Sequence, residues 1–93
     1  MNALQRFEDF VERMFEGSFT RLFRSGVQPA EVAGRIERAM ESNLTVSVGH
    51  VYTPNQYQVR LNPDDFKAFE PYRAKLEREM AAFVRETAQE HGW

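Results

Sequence analysis

The stretch from Gly49 to Phe66, GHVYTPNQYQVRLNPDDF, is where the fold can be read most directly. Tyr57, Val59 and Leu61 alternate with Gln58 and Arg60, the period-two pattern of a strand with one buried and one wet face. Before them, Thr53-Pro54-Asn55-Gln56 reads as a turn, because proline presets φ at its first central position and asparagine tolerates the second. A β-hairpin is therefore expected, with Tyr57, Val59 and Leu61 as the floor on which helices pack. Asn62-Pro63-Asp64-Asp65 then opens a helix: a side chain suited to the N-cap, proline at the first position and two carboxylates in the first turn.

Upstream, Leu44, Val46 and Val48 alternate with Thr45 and Ser47, so the first arm is expected to run to about Tyr52, with Gly49-His50 as a candidate bulge. Val32, Ala33, Ile36 and Met40 give a helix over about Pro29 to Glu41 one apolar side, with Pro29 at its first position and Glu31 complementing its dipole. A first helix is expected from Ala3 to about Arg24, closed by Ser25-Gly26. Its apolar positions change phase at Glu16-Gly17-Ser18, between a group made of Leu4, Phe7, Phe10, Val11 and Met14 and a group made of Phe15, Phe19, Leu22 and Phe23. The upstream group either covers the domain's own sheet or packs on a neighbouring domain or a second copy.

Downstream, Phe66 and Phe69 are expected to anchor a short helix that ends at Glu70-Pro71, where the pre-proline restriction breaks the run. A long last helix over about Pro71 to Glu90 follows, with Tyr72, Leu76, Met80, Phe83, Val84 and Thr87 as its buried stripe. His91-Gly92-Trp93 reads as a cap followed by an aromatic. The fold class is thus α+β in the order α-α-β-β-α-α, a small antiparallel hairpin covered by helices. Because a two-stranded sheet is marginal by itself, a third strand is expected beyond the C-terminus or from a neighbour.

With 93 residues the chain is one domain, 1–93, that buries roughly 60 to 65% of its unfolded surface. Hydrophobic residues at 42% and charged residues at 28% are ordinary globular values. No apolar run reaches the roughly 18 residues of a membrane span, and no basic-then-apolar leader opens the chain. No membrane insertion is expected, and a cytoplasmic location is. The absence of cysteine removes disulfides, thiolate nucleophiles and cysteine metal ligands. A net charge of −2 argues against general nucleic-acid binding through phosphate neutralisation.

Chemistry-bearing patterns are sparse. His50 and His91 lack metal-ligand spacing and read as surface residues. Asp64 and Asp65 are explained by the helix start, and neither a G-x-S-x-G elbow nor a glycine-rich phosphate loop is present. No catalytic residue, cofactor or metal site is expected, and the chain is read as a non-enzyme. Candidate partner-binding residues are Phe7, Phe10 and Met14 on helix one, Arg21, Arg24, Arg35 and Arg38 around the first helix junction, and Tyr52 and Arg60 on the hairpin. Interleaved Glu31, Glu37 and Glu41 make a solvated mixed-charge face the plainer reading of the arginines. The open hairpin edge could add a partner strand.

The run from Val51 to Phe66, VYTPNQYQVRLNPDDF, also resembles the signature of the N-terminal domain of bacterial scaffold proteins that carry a forkhead-associated (FHA) domain at their other end, as in mycobacteria. Weaker support comes from the R-x-F before Gly26, the following VQPAEVA, and Glu90-His91-Gly92-Trp93. The resemblance implies a non-catalytic adaptor module, cut just before its last strand from a longer scaffold whose FHA domain reads phosphothreonine in serine/threonine kinase signalling. It implies protein partners, among them a kinase or a cell-wall or division protein, and leaves room for a homodimer through helix one. No FHA phosphate-binding loops lie in these residues, so phosphothreonine binding attaches only to the longer scaffold. The alternative reading is a small KH-like RNA-binding module, against which stand the acidic charge and the missing G-x-x-G clamp.

Overall fold

A computed structural model describes residues 2–14 and 29–93, excepting the side chains of Met14 and Pro29. The order is α1 (Ala3–Met14), α2 (Pro29–Ser42), β1 (Thr45–Ser47), β2 (His50–Tyr52), α3 (Pro63–Phe69), a 3-10 turn (Glu70–Tyr72) and α4 (Arg73–His91). This is the α+β order read from the sequence. The second half of the first helix, its phase change at Glu16-Gly17-Ser18 and its Ser25-Gly26 end lie outside the described residues.

α1 starts through a capping box. Asn2 Oδ1 accepts from the Gln5 N–H at 2.8 Å, and Gln5 Oε1 accepts from the Asn2 N–H at 3.3 Å. The next helical donor, the Ala3 N–H, is met from across the domain by Glu90 Oε1 at 2.6 Å. Arg6 reaches Glu86 at 2.8 Å, and the Phe7 and Phe83 rings meet at 5.6 Å with a tilt of 50°. Ascending α1 therefore matches descending α4, and the two helices are antiparallel. α2 packs on both. Ala3, Phe7 and Val11 of α1, Ala33, Ile36 and Met40 of α2, and Leu76, Phe83 and Ala88 of α4 fill the core, with Phe69 of α3. Each set repeats at three- or four-residue steps, as one face of a helix must.

α4 ends in a Schellman motif. Gly92 takes φ of +72°, its N–H donates to the Gln89 carbonyl at 3.3 Å, and the Trp93 N–H donates to the Ala88 carbonyl at 2.8 Å. The aromatic that had no evident place in the sequence is thereby folded back. Trp93 stacks on His91 at 4.4 Å and 15° and packs at the core's edge, while His91 Nε2 lies 2.9 Å from Glu37 Oε1 of α2.

Several expectations are corrected. The hairpin turns at Val48-Gly49, pairing Ser47 with His50 and Thr45 with Tyr52; it does not turn at Pro54-Asn55, and Gly49 is not a bulge. Gly49 adopts φ of +77°, which glycine reaches without a Cβ penalty, and this supplies the tight reversal that Thr53-Pro54-Asn55-Gln56 was expected to make. Among the described residues Tyr57–Leu61 forms no ladder. Its alternation is only partly kept in burial: Tyr57 and Leu61 pack against the core, but Val59 is exposed along with Gln58 and Arg60. Nor do the helices cover the hairpin: Val46 and Val48 are 79% and 96% exposed, and the core is made by helices packed on one another. Tyr72 lies outside the buried stripe of α4, and Phe66 is half exposed where only Phe69 anchors α3. Pro71, expected to open the last helix, instead sits in a 3-10 turn that joins α3 to α4.

These placements predict a sharp contrast in stability. Phe7→Ala should cost about 3–5 kcal/mol in denaturant unfolding, as a buried aromatic truncation does, whereas Val48→Ser should stay within about 0.5 kcal/mol. A large loss at Val48 would place the core on the hairpin after all.

Candidate functional site

Among the described residues an open groove of about 810 Å³ lies between α4 and the irregular segment 53–61. Local sequence chemistry explains its walls. Asn62 caps α3 by accepting the Asp64 N–H on Oδ1 at 2.9 Å, and Pro63 follows at the first helical position. This start turns the chain so that Phe69 enters the core and Phe66 remains at the groove's mouth, 46% exposed. Leu76, Met80, Val84 and Ala88, one helical turn apart, form an apolar strip along α4. Ile36 of α2 and Phe69 close the base. Opposite runs the segment from Thr53 to Leu61, with Thr53 Oγ1 and Tyr57 Oη 3.2 Å apart and Val59 42% exposed.

The second lip of α4 is charged but largely self-neutralised. Arg73 Nε donates to Glu77 Oε1 at 2.8 Å, and its guanidinium lies 6.0 Å from the centroid of the Phe66 ring. The hydrogen bond to Glu77, then the charges of Glu77 and Glu70, hold the Arg73 pKa above its ordinary value, so this lip keeps its cation at any physiological pH. Glu70 and Arg85 also line the groove, toward its two ends along the helix. A smaller cleft of about 470 Å³ separates the hairpin from Gly92-Trp93.

The residues proposed from the sequence do not converge on one surface. Phe7 is buried against Phe83 and is spent in the core, which corrects its assignment to partner binding: α1 has α2 and α4 to cover with that face. Phe10 is half-buried against the same core. The Met14 side chain, Arg21 and Arg24 lie outside the described residues. Arg35 is paired with Glu31 at 2.9 Å, the mixed-charge face read as the plainer option. Arg38, Tyr52 and Arg60 are exposed and separate from the groove lining. His50 and Tyr52 meet at 6.0 Å on one face of the hairpin. Val59, Phe66 and Val84 were missed as site residues because helical or strand periodicity assigned them to the core. One signal was available: no Asp, Glu, Lys or Arg occurs from Asn43 to Val59 in an otherwise charge-rich chain.

Among the described residues no cluster of three or more His, Cys, Asp or Glu could hold a metal ion, and no helix is long and apolar enough to cross a membrane. Comparison with protein families matches residues 4–93 to the FhaA N-terminal domain. The chain belongs to that family. The match spans the signature stretch, the hairpin and the described helices from the second residue of α1 onward, and suggests part of an FhaA-type scaffold. No match was found among curated proteins or among solved structures.

If the groove's apolar strip is accessible, it should bind a hydrophobic dye such as anilinonaphthalene sulfonate in the native state. Phe66→Gln combined with Val59→Thr should clearly lower that fluorescence while costing no more than about 2 kcal/mol of stability, since both side chains are already half exposed. Unchanged fluorescence at native pH would place the dye site elsewhere.

Proposed function

We propose that this domain is a non-catalytic protein-interaction module of an FhaA-type scaffold, and that the groove along α4 is its docking surface. The observation that carries the reading is the exposure of Phe66 and Val59 at the mouth of an apolar strip, in a domain whose own core is already closed by its helices. Half-exposed aromatic and aliphatic groups around a concavity with a polar rim are the usual anatomy of a protein docking site. The family resemblance extends this to a cytoplasmic adaptor role in phosphothreonine signalling, with a serine/threonine kinase or a cell-wall or division protein as partner through the longer scaffold. Enzymatic chemistry is not part of this reading. Homodimerisation through helix one is not carried by Phe7 and Val11, which are consumed by the core.

The test compares wild type with Phe66→Asp and Val59→Asp, each immobilised and exposed to bacterial extract. A discrete set of proteins retained by wild type should be depleted on both variants, and the free domain should sediment as a monomer. Recovery that is equal on all three rejects the groove as the docking surface. Salt-dependent RNA retention in a shift assay would move the domain to the nucleic-acid-binding class.

A further inference from the structure

Building on the interaction reading above, we propose that the groove's occupant is an extended peptide segment of a protein partner, which hydrogen-bonds as an added strand along Tyr57–Leu61 and lays alternate apolar side chains on the α4 strip.

Three observations lead to a strand and not to a helix. First, residues 57–61 carry strand periodicity in sequence, with Tyr57 and Leu61 turned to the core, yet no backbone–backbone hydrogen bond is made by residues 53–61 among the described residues. Each non-proline residue there presents a donor and an acceptor, and Gln58, Val59 and Arg60 are exposed residues. This is the condition of a sheet edge, and an extended backbone is the partner whose spacing matches it. Second, the free edge adjoins a concavity. A strand laid beside Tyr57–Leu61 projects every second side chain to one side, and the groove offers Met80 and Val84 to receive apolar ones.

Third, the charges give the occupant a composition and a direction. The wall from Thr53 to Val59 carries no formal charge, and Arg73 and Glu77 neutralise each other on the opposite lip. A charged residue in the middle of the occupant would lose hydration with nothing to replace it. At the two ends stand Glu70 and Arg85, neither in an ion pair among the described residues. The α4 stretch from Arg73 to Arg85 rises about 18 Å and the 3-10 turn from Glu70 adds up to about 6 Å, together a span that an extended chain covers in about seven residues. The complementary segment is therefore a heptapeptide-length strand with alternating apolar residues, a basic residue at its Glu70 end and an acidic residue at its Arg85 end.

The experiment selects a phage-displayed random heptapeptide library on the folded protein and measures labelled synthetic copies of the enriched peptides by fluorescence anisotropy. Enriched peptides should show apolar residues at every second position. Ala81→Arg, which adds bulk at an exposed groove position, should weaken them at least ~10-fold. Adjacent N–H groups of a strand point to opposite sides, so one of Gln58→Pro and Val59→Pro should do the same while the other has less effect. The double variant Glu70→Lys/Arg85→Glu should prefer peptides with the terminal charges exchanged. Circular dichroism and thermal midpoints confirm that each variant is folded. The proposal is overturned if no sequence is enriched, if Ala81→Arg leaves binding unchanged, or if both proline variants bind as wild type does. Apolar residues at three- and four-residue spacing would also overturn it, by identifying a helical occupant. That last result leaves the interaction reading standing, whose own failure is read separately from equal partner recovery on Phe66→Asp and Val59→Asp.

Discussion

The antiparallel contact of α1 with α4 is the constraint on which the rest of the structure depends. Phe7 and Phe83 meet at its centre, and Glu86 and Glu90 of α4 hold Arg6 and the Ala3 N–H at the amino-terminal end of α1. Between them these contacts join the amino-terminal helix to the carboxy-terminal one, and α2 packs on both. The core is consequently a property of distant segments. A helix of twelve residues such as α1 is marginal in isolation, and it is the burial of Ala3, Phe7 and Val11 that makes it persist.

Closing the core among helices has a consequence for the central stretch. The hairpin and the segment after it are released from the task of forming a floor. The hairpin stands with Val46 and Val48 in solvent, and Tyr57–Leu61 touches the core through Tyr57 and Leu61, its backbone making no backbone hydrogen bond among the described residues. Between that segment and α4 the groove opens. The same residues that make the family signature, the extended run and the capped start of α3, thus shape the surface that looks outward. The family assignment and the candidate site coincide in one stretch of chain.

Much of this was legible locally. The Asn62-Pro63 start of α3, the Pro29 start of α2, the order of elements and the positive-φ glycine after His91 all follow from short-range chemistry, and each is found. The capping box of Asn2 and Gln5 is equally local, an amide N-cap answered three residues later by glutamine. The hairpin's position was misread because two turn signals lay close together, and the glycine at position 49 outcompeted the proline at 54. Alternation at Tyr57–Leu61 was read as pairing, whereas period two reports only that successive side chains see different surroundings. Here the apolar surroundings are helices.

The sequence by itself determined where α1, α2 and α3 begin, most of the faces the helices bury and to which family the chain belongs, because caps, periodicity and signature residues act within a few positions of one another. Tertiary structure alone decided which buried face meets which. It sent Phe7 to Phe83 and away from any partner, gave Trp93 a seat on His91, and left Phe66 and Val59 at the groove's mouth. The physical reason is that apolar burial is non-directional. A stripe of hydrophobic residues demands cover, but its composition does not say whether a helix of the same chain, a sheet or a partner provides it.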